Sequence, residues 1–489
     1  MLRLIFLCIA LSLSMVAASA AELASIDPLV RVVDLDIGEE AKVTLCDGTQ
    51  ATVKLLELKE HRDPSRLAVR SSDLKLLVNG TEIDLQGGCY VLPQAVGAVK
   101  IDCTATSGLN SNGTPEFWGL DKAARFRLWP VDSPLVQPGT MIYPVKQDWL
   151  ATRTWFDNET VDGGNSILKK IYYHAGLDIG ASEGLVEVIA ATDALVVQRG
   201  LEVLEGHETE TPTSPRYDVV YLLDGRGWYY RYSHLKEIDP GIQLGSTIKM
   251  GTRIGVAGKE GASGGWSHLH FEMKSRQPSG KWGTQAGYAI MREICIRDEQ
   301  LQLIANARPG HLITAGEEAL LDGSRSWSKQ GELHFEWQFE DGSTATSAKF
   351  AKVYPEPGSF TETLKVTDAA GNVDYDFSHV LVVDPADLEH YPPSLNANYH
   401  PSQNVQAGTE ITFKVRGFRM QGGEEEWDFG DGSPTVRSLS SQDTNPHAPD
   451  GYVAVKHQYS DPGDYIVTVR HLSDEGYPAI TRLHVPVGK

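Results

Sequence analysis

Histidines recur in this chain at a spacing that a β-strand turns into a side-by-side pair. The stretch Trp266-Ser267-His268-Leu269-His270-Phe271-Glu272-Met273 alternates apolar and polar residues, the period-two pattern of a half-buried strand. Side chains two apart on a strand share a face, so His268 and His270 stand next to each other. One imidazole of such a pair can bind a metal while the other hydrogen-bonds what the metal holds. His-x-His is also an ordinary strand pattern, so the remaining ligands must come from elsewhere. Upstream, Tyr172-Tyr173-His174-Ala175-Gly176-Leu177-Asp178-Ile179-Gly180 carries a His-x-x-x-Asp pair, whose even spacing puts both side chains on one face if the segment is extended. His174, Asp178 and His270 then offer two nitrogens and one oxygen, a shell suited to catalytic Zn²⁺ with a fourth position for water. Asp178 has an alternative role, that of a carboxylate behind a ligating histidine. Between these motifs, Trp228-Tyr229-Tyr230-Arg231-Tyr232-Ser233-His234-Leu235 reads as a strand with Trp228, Tyr230, Tyr232 and His234 on one face. That makes His234 a candidate partner for His268 beside the metal.

From about Ile142 to Lys274 the chain resembles the lysostaphin-like zinc metalloendopeptidases, which cut peptide cross-links in bacterial cell walls. His174-Ala-Gly-Leu-Asp178-Ile-Gly is similar to that family's first metal motif, and Tyr232-Ser-His234-Leu to the segment with its first catalytic histidine. Gly251-Thr-Arg-Ile254-Gly255-Val-Ala-Gly258 followed by His268-Leu-His270-Phe-Glu is similar to its last motif. The resemblance implies His174, Asp178 and His270 as ligands of one Zn²⁺ per chain, and His234 and His268 as catalytic histidines. All five positions are filled, unlike those of scaffold-only relatives. Two departures bear on specificity. Leu201–Arg216 is an extra polar loop at the groove rim, and Gly261-Ala-Ser-Gly-Gly-Trp266 replaces the usual lead-in to His-x-His. Its glycines leave room for a substrate backbone to come close.

The elements that must position these residues are mostly β. Short alternating runs, Val186–Ala191, Ala194–Gln198, Asp218–Leu223 and Ser246–Met250, surround the motifs, with a hairpin signal at Asp224-Gly225. An antiparallel sheet projecting its ligands into a groove fits residues 139–297. Residues 26–129 read as a separate β-sandwich or barrel, from runs such as Ala41–Cys46, Ala51–Leu58 and Leu74–Gly80 with Asp47-Gly48 as a turn. This domain shows no site chemistry; it is either a prodomain over the cleft or a module that presents it. His61 reads as a solvated loop residue. Pro130 to Pro138 reads as a linker.

The tail repeats itself. Trp337-Gln-Phe-Glu-Asp341-Gly342-Ser343 is echoed by Trp427-Asp-Phe-Gly-Asp431-Gly432-Ser433, and Tyr354-Pro-Glu-Pro357-Gly358 by Tyr459-Ser-Asp-Pro462-Gly463. The repeats resemble PKD-type β-sandwich modules at 303–385 and 393–488, joined by a linker near Asp384 to Pro393. The second copy has an extra loop between its Trp and Tyr motifs. Turn geometry explains the Asp-Gly pairs and core packing the tryptophans, so the modules are expected to act as stiff spacers and adhesion modules; a calcium or glycan site, or a protein ligand, is the alternative.

Met1-Leu2-Arg3, the apolar run to Val16 and Ala18-Ser19-Ala20 have the form of a signal peptide over residues 1–20. No later stretch reaches the ~20 apolar residues of a membrane helix, so an exported chain, periplasmic, envelope-associated or extracellular, is expected. Cys46, Cys89, Cys103 and Cys295 remain after the leader, and four cysteines allow three pairings; Cys89 and Cys103, flanking a segment read as two neighbouring strands, are the first candidates for a disulfide in an oxidising compartment, the alternative being that all four are small buried hydrophobes. Acidic residues outnumber basic ones 65 to 44, which argues against nucleic acid as a partner and against electrostatic capture of an anionic wall polymer. The expectation is a mostly β, four-domain zinc endopeptidase acting on peptidoglycan peptides. A secreted protease of extracellular protein and a non-catalytic wall-binding scaffold are the alternatives.

Overall fold

The structure is a computed structural model that describes residues 23–63, 66–110, 117–161, 171–420, 422–441, 444–472 and 476–488. The expected signal peptide lies outside the described residues. The described chain is almost entirely β, with a single α-helix at Tyr288–Asp298. No helix among the described residues is long and apolar enough to cross a membrane.

The N-terminal strands form one eight-stranded sheet, curled towards a barrel, that runs from Arg31–Leu35 to Glu40–Thr44. The alternating side chains of Gln50–Arg62 and Val69–Val78 put Ala51, Val53, Leu55, Leu74, Leu76 and Val78 into its core. The Asp47-Gly48 turn is present, with Gly48 at φ +84°, a conformation that costs a residue with a Cβ. On the outer face, Arg125 donates to both carboxylate oxygens of Asp34, and Arg127 to those of Asp102. Both pairs are buried, so losing one partner would strand a charge in a medium that cannot solvate it.

The expected Cys89–Cys103 disulfide is absent, and both are free thiols. Cys103 points inward from Val99–Thr106 into the barrel core. Cys89 lies just past the strand Thr81–Gly88 and faces the peptidase core instead. The two thiols belong to different cores. Burial raises both thiols far above their usual range.

The Pro130–Pro138 segment is not a free tether. Leu135 and Val136 are buried in the next core together with Trp129. That core lies behind a nine-stranded sheet containing, in order, Glu202–Val203, Ala194–Arg199, Val220–Asp224, Tyr229–Ser233, His268–Arg276, Leu177–Gly180 and Thr154–Trp155. These neighbours pair antiparallel. Leu269, Phe271 and Met273 fill the core from the strand His268–Arg276, and the helix closes it with Tyr288, Ile294 and Cys295.

The two C-terminal repeats bury their tryptophans as core residues, Trp337 in one and Trp427 in the other. Burying such a side chain contributes on the order of 3 kcal/mol. The expected spacer arrangement is not what forms. One nine-stranded sheet runs through both repeats, joined where Gly358–Asp368 meets Pro478–Val487 in parallel at Ser359 and Ala479. Both repeats also pack on the peptidase sheet: Arg308 donates to the Thr154 carbonyl (2.6 Å), and the Asp148 amide to Ser402 Oγ (3.1 Å). Strands with unpaired edges and half-apolar faces are better buried by a neighbour than left in water.

Candidate active site

Register places the candidate ligands. On the strand His268–Arg276, Leu269 and Phe271 point into the core, so His268 and His270 must point out of the other face. Asp178 lies directly opposite His270, and Ser233 flanks His270 on its other side. Leu177 and Ile179 enter the core from the Asp178 strand, which turns the carboxylate towards the histidines.

His174 arrives differently from the expected continuous strand. The strand covers only Leu177–Gly180, because Gly176 takes φ +82° and kinks the segment. A Cβ there would stand 2.6 Å from the Phe271 carbonyl oxygen. The kink lets His174 Nδ1 donate to the Gly176 carbonyl (2.9 Å), while the His174 amide donates to the Glu159 carbonyl (2.8 Å). Buried Asp157 accepts from the Gly176 amide (2.9 Å) and the Gly287 amide (2.7 Å), which locks the turn.

With Nδ1 donating to the Gly176 carbonyl, His174 turns Nε2 towards Asp178, and that nitrogen becomes a lone pair when its proton leaves. That atom is buried and lies 2.9 Å from Asp178 Oδ2. His270 directs Nδ1 at Asp178 Oδ1 (2.7 Å). One ligand atom from each of His174, Asp178 and His270 falls within 4.8 Å of the others. A buried imidazole nitrogen beside a carboxylate and a second imidazole is the donor set a zinc ion takes. The residues present fit that ion. Burial works against ionised Asp178, but His174, His268 and His270 outweigh it and hold the carboxyl well below its usual range. Burial also opposes protonation of His174, and the Asp178 charge and contact more than offset it, pushing His174 up to about 9.

His234 and His268 complete the floor, with ring centroids 4.6 Å apart. The spacing argument put His234 on the face of Tyr230 and Tyr232, but those two are core residues. The strand ends at Ser233, and His234 takes φ +67°, a left-handed conformation uncommon outside glycine. That one residue turns its ring from the core to the ligand side. Asp218 holds it there by accepting from the His234 amide (2.8 Å). His234 Nδ1 lies 2.6 Å from the Glu260 carbonyl and 3.3 Å from Arg216 Nη2. A guanidinium only donates, so the shorter carbonyl bond fixes the proton on Nδ1 and leaves Nε2 as the acceptor. His268 repeats this arrangement, with Nδ1 at the Trp266 carbonyl (3.1 Å) and the ring stacked 3.9 Å from the Trp266 ring. Burial, reinforced by neighbouring imidazoles, lowers His234 well below its ordinary value and pushes His268 down to about 4. Both are neutral at pH 7.

All five residues lie within residues 172–281, which match peptidase family M23; residues 304–383 and 395–477 each match the PKD domain. The chain carries a peptidase family M23 domain followed by two PKD domains. No curated protein matches it. Among solved structures, Helicobacter pylori Csd3 in its hexagonal crystal is 15% identical, with a TM-score of 0.22, over 52% of this chain and 54% of that one. This chain therefore spans about half the length of that structure. SGBP-B of the Bacteroides ovatus mixed-linkage glucan utilization locus, in complex with a mixed-linkage heptasaccharide, is 14% identical, with a TM-score of 0.18, over 37% of this chain and 43% of its own.

The M23 domain also uses residues to which spacing assigned no role. Glu272, two beyond His270 on the same face, sits 3.9 Å from His270 Nε2, held by Thr284 Oγ1 (3.0 Å) and Lys274 (3.1 Å). A carboxylate behind a ligating imidazole raises its basicity and fixes its orientation. The His-x-His-x-Glu alternation carried that signal. Asp218, Asp157 and Arg216 had no such signal, because each reaches the M23 site from a distant loop or strand end. Arg216, at the end of the extra loop, is bidentate on Asp218.

Proposed function

We propose that the protein is an exported zinc metalloendopeptidase that hydrolyses peptide bonds in peptidoglycan cross-links. The observation that carries this reading is the convergence of His174 Nε2, Asp178 and His270 Nδ1 beside the rings of His234 and His268, inside an M23 domain. His174, Asp178 and His270 would hold one Zn²⁺. Zinc, when bound, supplies a Lewis acid that acidifies water and polarises a carbonyl.

The chain's own residues move the protons. His234 and His268 are neutral and have their Nδ1 protons on the Glu260 and Trp266 carbonyls, so each offers Nε2 to a water proton. The same Nε2–H can then donate to the amide nitrogen as it leaves. Asp218 and Glu260 keep His234 in its left-handed pose, and Trp266 keeps the plane of His268. Residues 1–20 act as the leader in this reading, 26–129 as an accessory domain, 139–297 as the catalytic domain, and 303–385 with 393–488 as accessory modules able to hold a glycan or protein.

The test is digestion of purified peptidoglycan by the zinc-supplied mature chain, read as new amino termini. Release that disappears in His234→Ala supports the reading. Cleavage of a soluble glycine-rich protein with none of peptidoglycan would move the substrate to extracellular protein.

A further inference from the structure

The segment that delivers His268 is gripped from outside the M23 domain. Gly264 and Gly265 take φ +68° and +87°, and the expected reason for such glycines was close approach of a substrate backbone. The neighbour of Gly265 is instead the second PKD domain. A Cβ on Gly265 would stand 3.0 Å from Pro446 Cα, in the extra loop between the Trp and Tyr motifs. Arg416, buried on the strand Ile411–Phe418, donates Nη1 to the Gly265 carbonyl (2.7 Å) and to the Pro446 carbonyl (2.9 Å), and Nη2 to the Asn445 carbonyl (2.9 Å). Tyr452 Oη accepts from the Ser267 amide (2.9 Å) and donates to Asn396 (2.8 Å).

The segment after Asp178 is held by the same domain. Ser182 Oγ donates to Asn398 (3.0 Å), and Lys414 Nζ to the Glu183 carbonyl (2.6 Å). A guanidinium taken out of water is stable only with its donors satisfied, and the carbonyls on Arg416 come from both sides of the seam. On the far side, the N-terminal domain grips the residue before His174, with the Val69 amide donating to Tyr173 Oη (2.7 Å).

The result is a chamber of about 1580 Å³ with the histidines on its floor and Arg70, Phe377, Asn396 and Thr444 among its walls. The walls thus come from all four parts of the chain. Asp178 and His270 have only 13% of their side-chain surface exposed. A typical small-molecule pocket is ~300–1,000 Å³. This chamber exceeds that range, so it has room for a peptide, and a substrate reaches the histidines between walls from all four parts of the chain.

We propose that the second PKD domain is a wall of the substrate site. Arg416 is a positioning residue that sets Gly265–Ser267 and thereby His268, and the chamber selects soluble cross-linked peptide fragments over cross-links within an intact wall. The selectivity rests on the peptidase reading above; the clamp does not.

The experiment uses the zinc-supplied full chain, as wild type, Arg416→Ala, Arg416→Lys and Tyr452→Phe. Two substrates from one wall are compared, soluble cross-linked muropeptides and the insoluble sacculus, with hydrogen exchange of the Gly264–Ser267 amides as a separate readout. Wild type is expected to favour the soluble substrate. Arg416→Ala should lower its kcat about tenfold, with little change in KM, because a small displacement of a reacting group is enough to do so. It should also shift the ratio of rates towards the sacculus, and Arg416→Lys should restore part of both. Tyr452→Phe should speed exchange at Ser267. An unchanged substrate ratio in Arg416→Ala would overturn the selectivity. Wild-type amides at Gly264–Ser267 exchanging as fast as those of Arg416→Ala would overturn the clamp. Wild type cutting neither substrate would overturn the peptidase reading and the selectivity with it, leaving exchange to decide the clamp.

Discussion

Asp178 stands between two histidines, with Oδ1 2.7 Å from His270 Nδ1 and Oδ2 2.9 Å from His174 Nε2. The first contact follows from strand register and the second from a kink. Only the first is set by a regular element, so the second is the vulnerable one.

Gly176 makes that kink, and replacing it tests the dependence. Gly176→Ala must either abandon φ +82° or drive its Cβ into the Phe271 carbonyl. Such a change costs more than ~1 kcal/mol of stability and moves His174. The expected outcome is zinc affinity reduced by about tenfold or more, measured by competition with a chromophoric chelator. An unchanged affinity would mean that His174 is positioned by its other bonds.

Asp218 is fully buried and carries both the His234 amide and Arg216. Asp218→Asn keeps the shape but removes the charge opposite Arg216. The variant should bind zinc normally, lose about tenfold in kcat through looser positioning of His234, and melt earlier, by less than the ~3 kcal/mol of a fully buried pair, since Arg216 keeps a quarter of its side chain exposed. Metal content, kinetics and a melting curve on one sample separate these effects.

How much of this could be read from the residues differs by element. The mostly β class and the pairing of His268 with His270 followed from alternation, because strand geometry repeats every two residues, while the resemblance to the lysostaphin-like peptidases implied that His174, Asp178 and His234 join them. The route of His174 did not, since a glycine interrupts the strand that the spacing assumed. Nor did the face of His234, where one left-handed residue reverses the alternation. Cys89 and Cys103 were close in sequence but are sorted into different cores by the turn after Gly88. The repeats were legible as modules, while their packing against the M23 domain depends on Arg416 and Tyr452, which carry no local pattern. Long-range contacts leave no period in a sequence.

Glu362 of the first PKD domain predicts a pH effect on stability. It accepts from the Glu340 amide (2.9 Å) and Tyr354 Oη (2.9 Å) in a buried site, and burial pushes its carboxyl up to about 7. A carboxyl raised on folding contributes stability below its unfolded value near 4.5 and loses it as pH rises through about 7. The wild type should therefore melt lower at pH 8 than at pH 5 in the transition of this domain. Glu362→Gln should remove the difference, gaining a few kcal/mol at pH 8, at ~1.4 kcal/mol per pKa unit. A melting temperature with the same pH dependence in both proteins would contradict this.

The most direct test of the metal centre is the zinc content of the purified mature chain beside His174→Ala, His270→Ala and His234→Ala. The account predicts about one zinc per wild-type chain. His174→Ala and His270→Ala should lose it, whereas His234→Ala should keep it without hydrolytic activity. Wild-type protein that takes up no zinc at neutral pH, or a His234→Ala variant that empties the site, would contradict the division of roles proposed here.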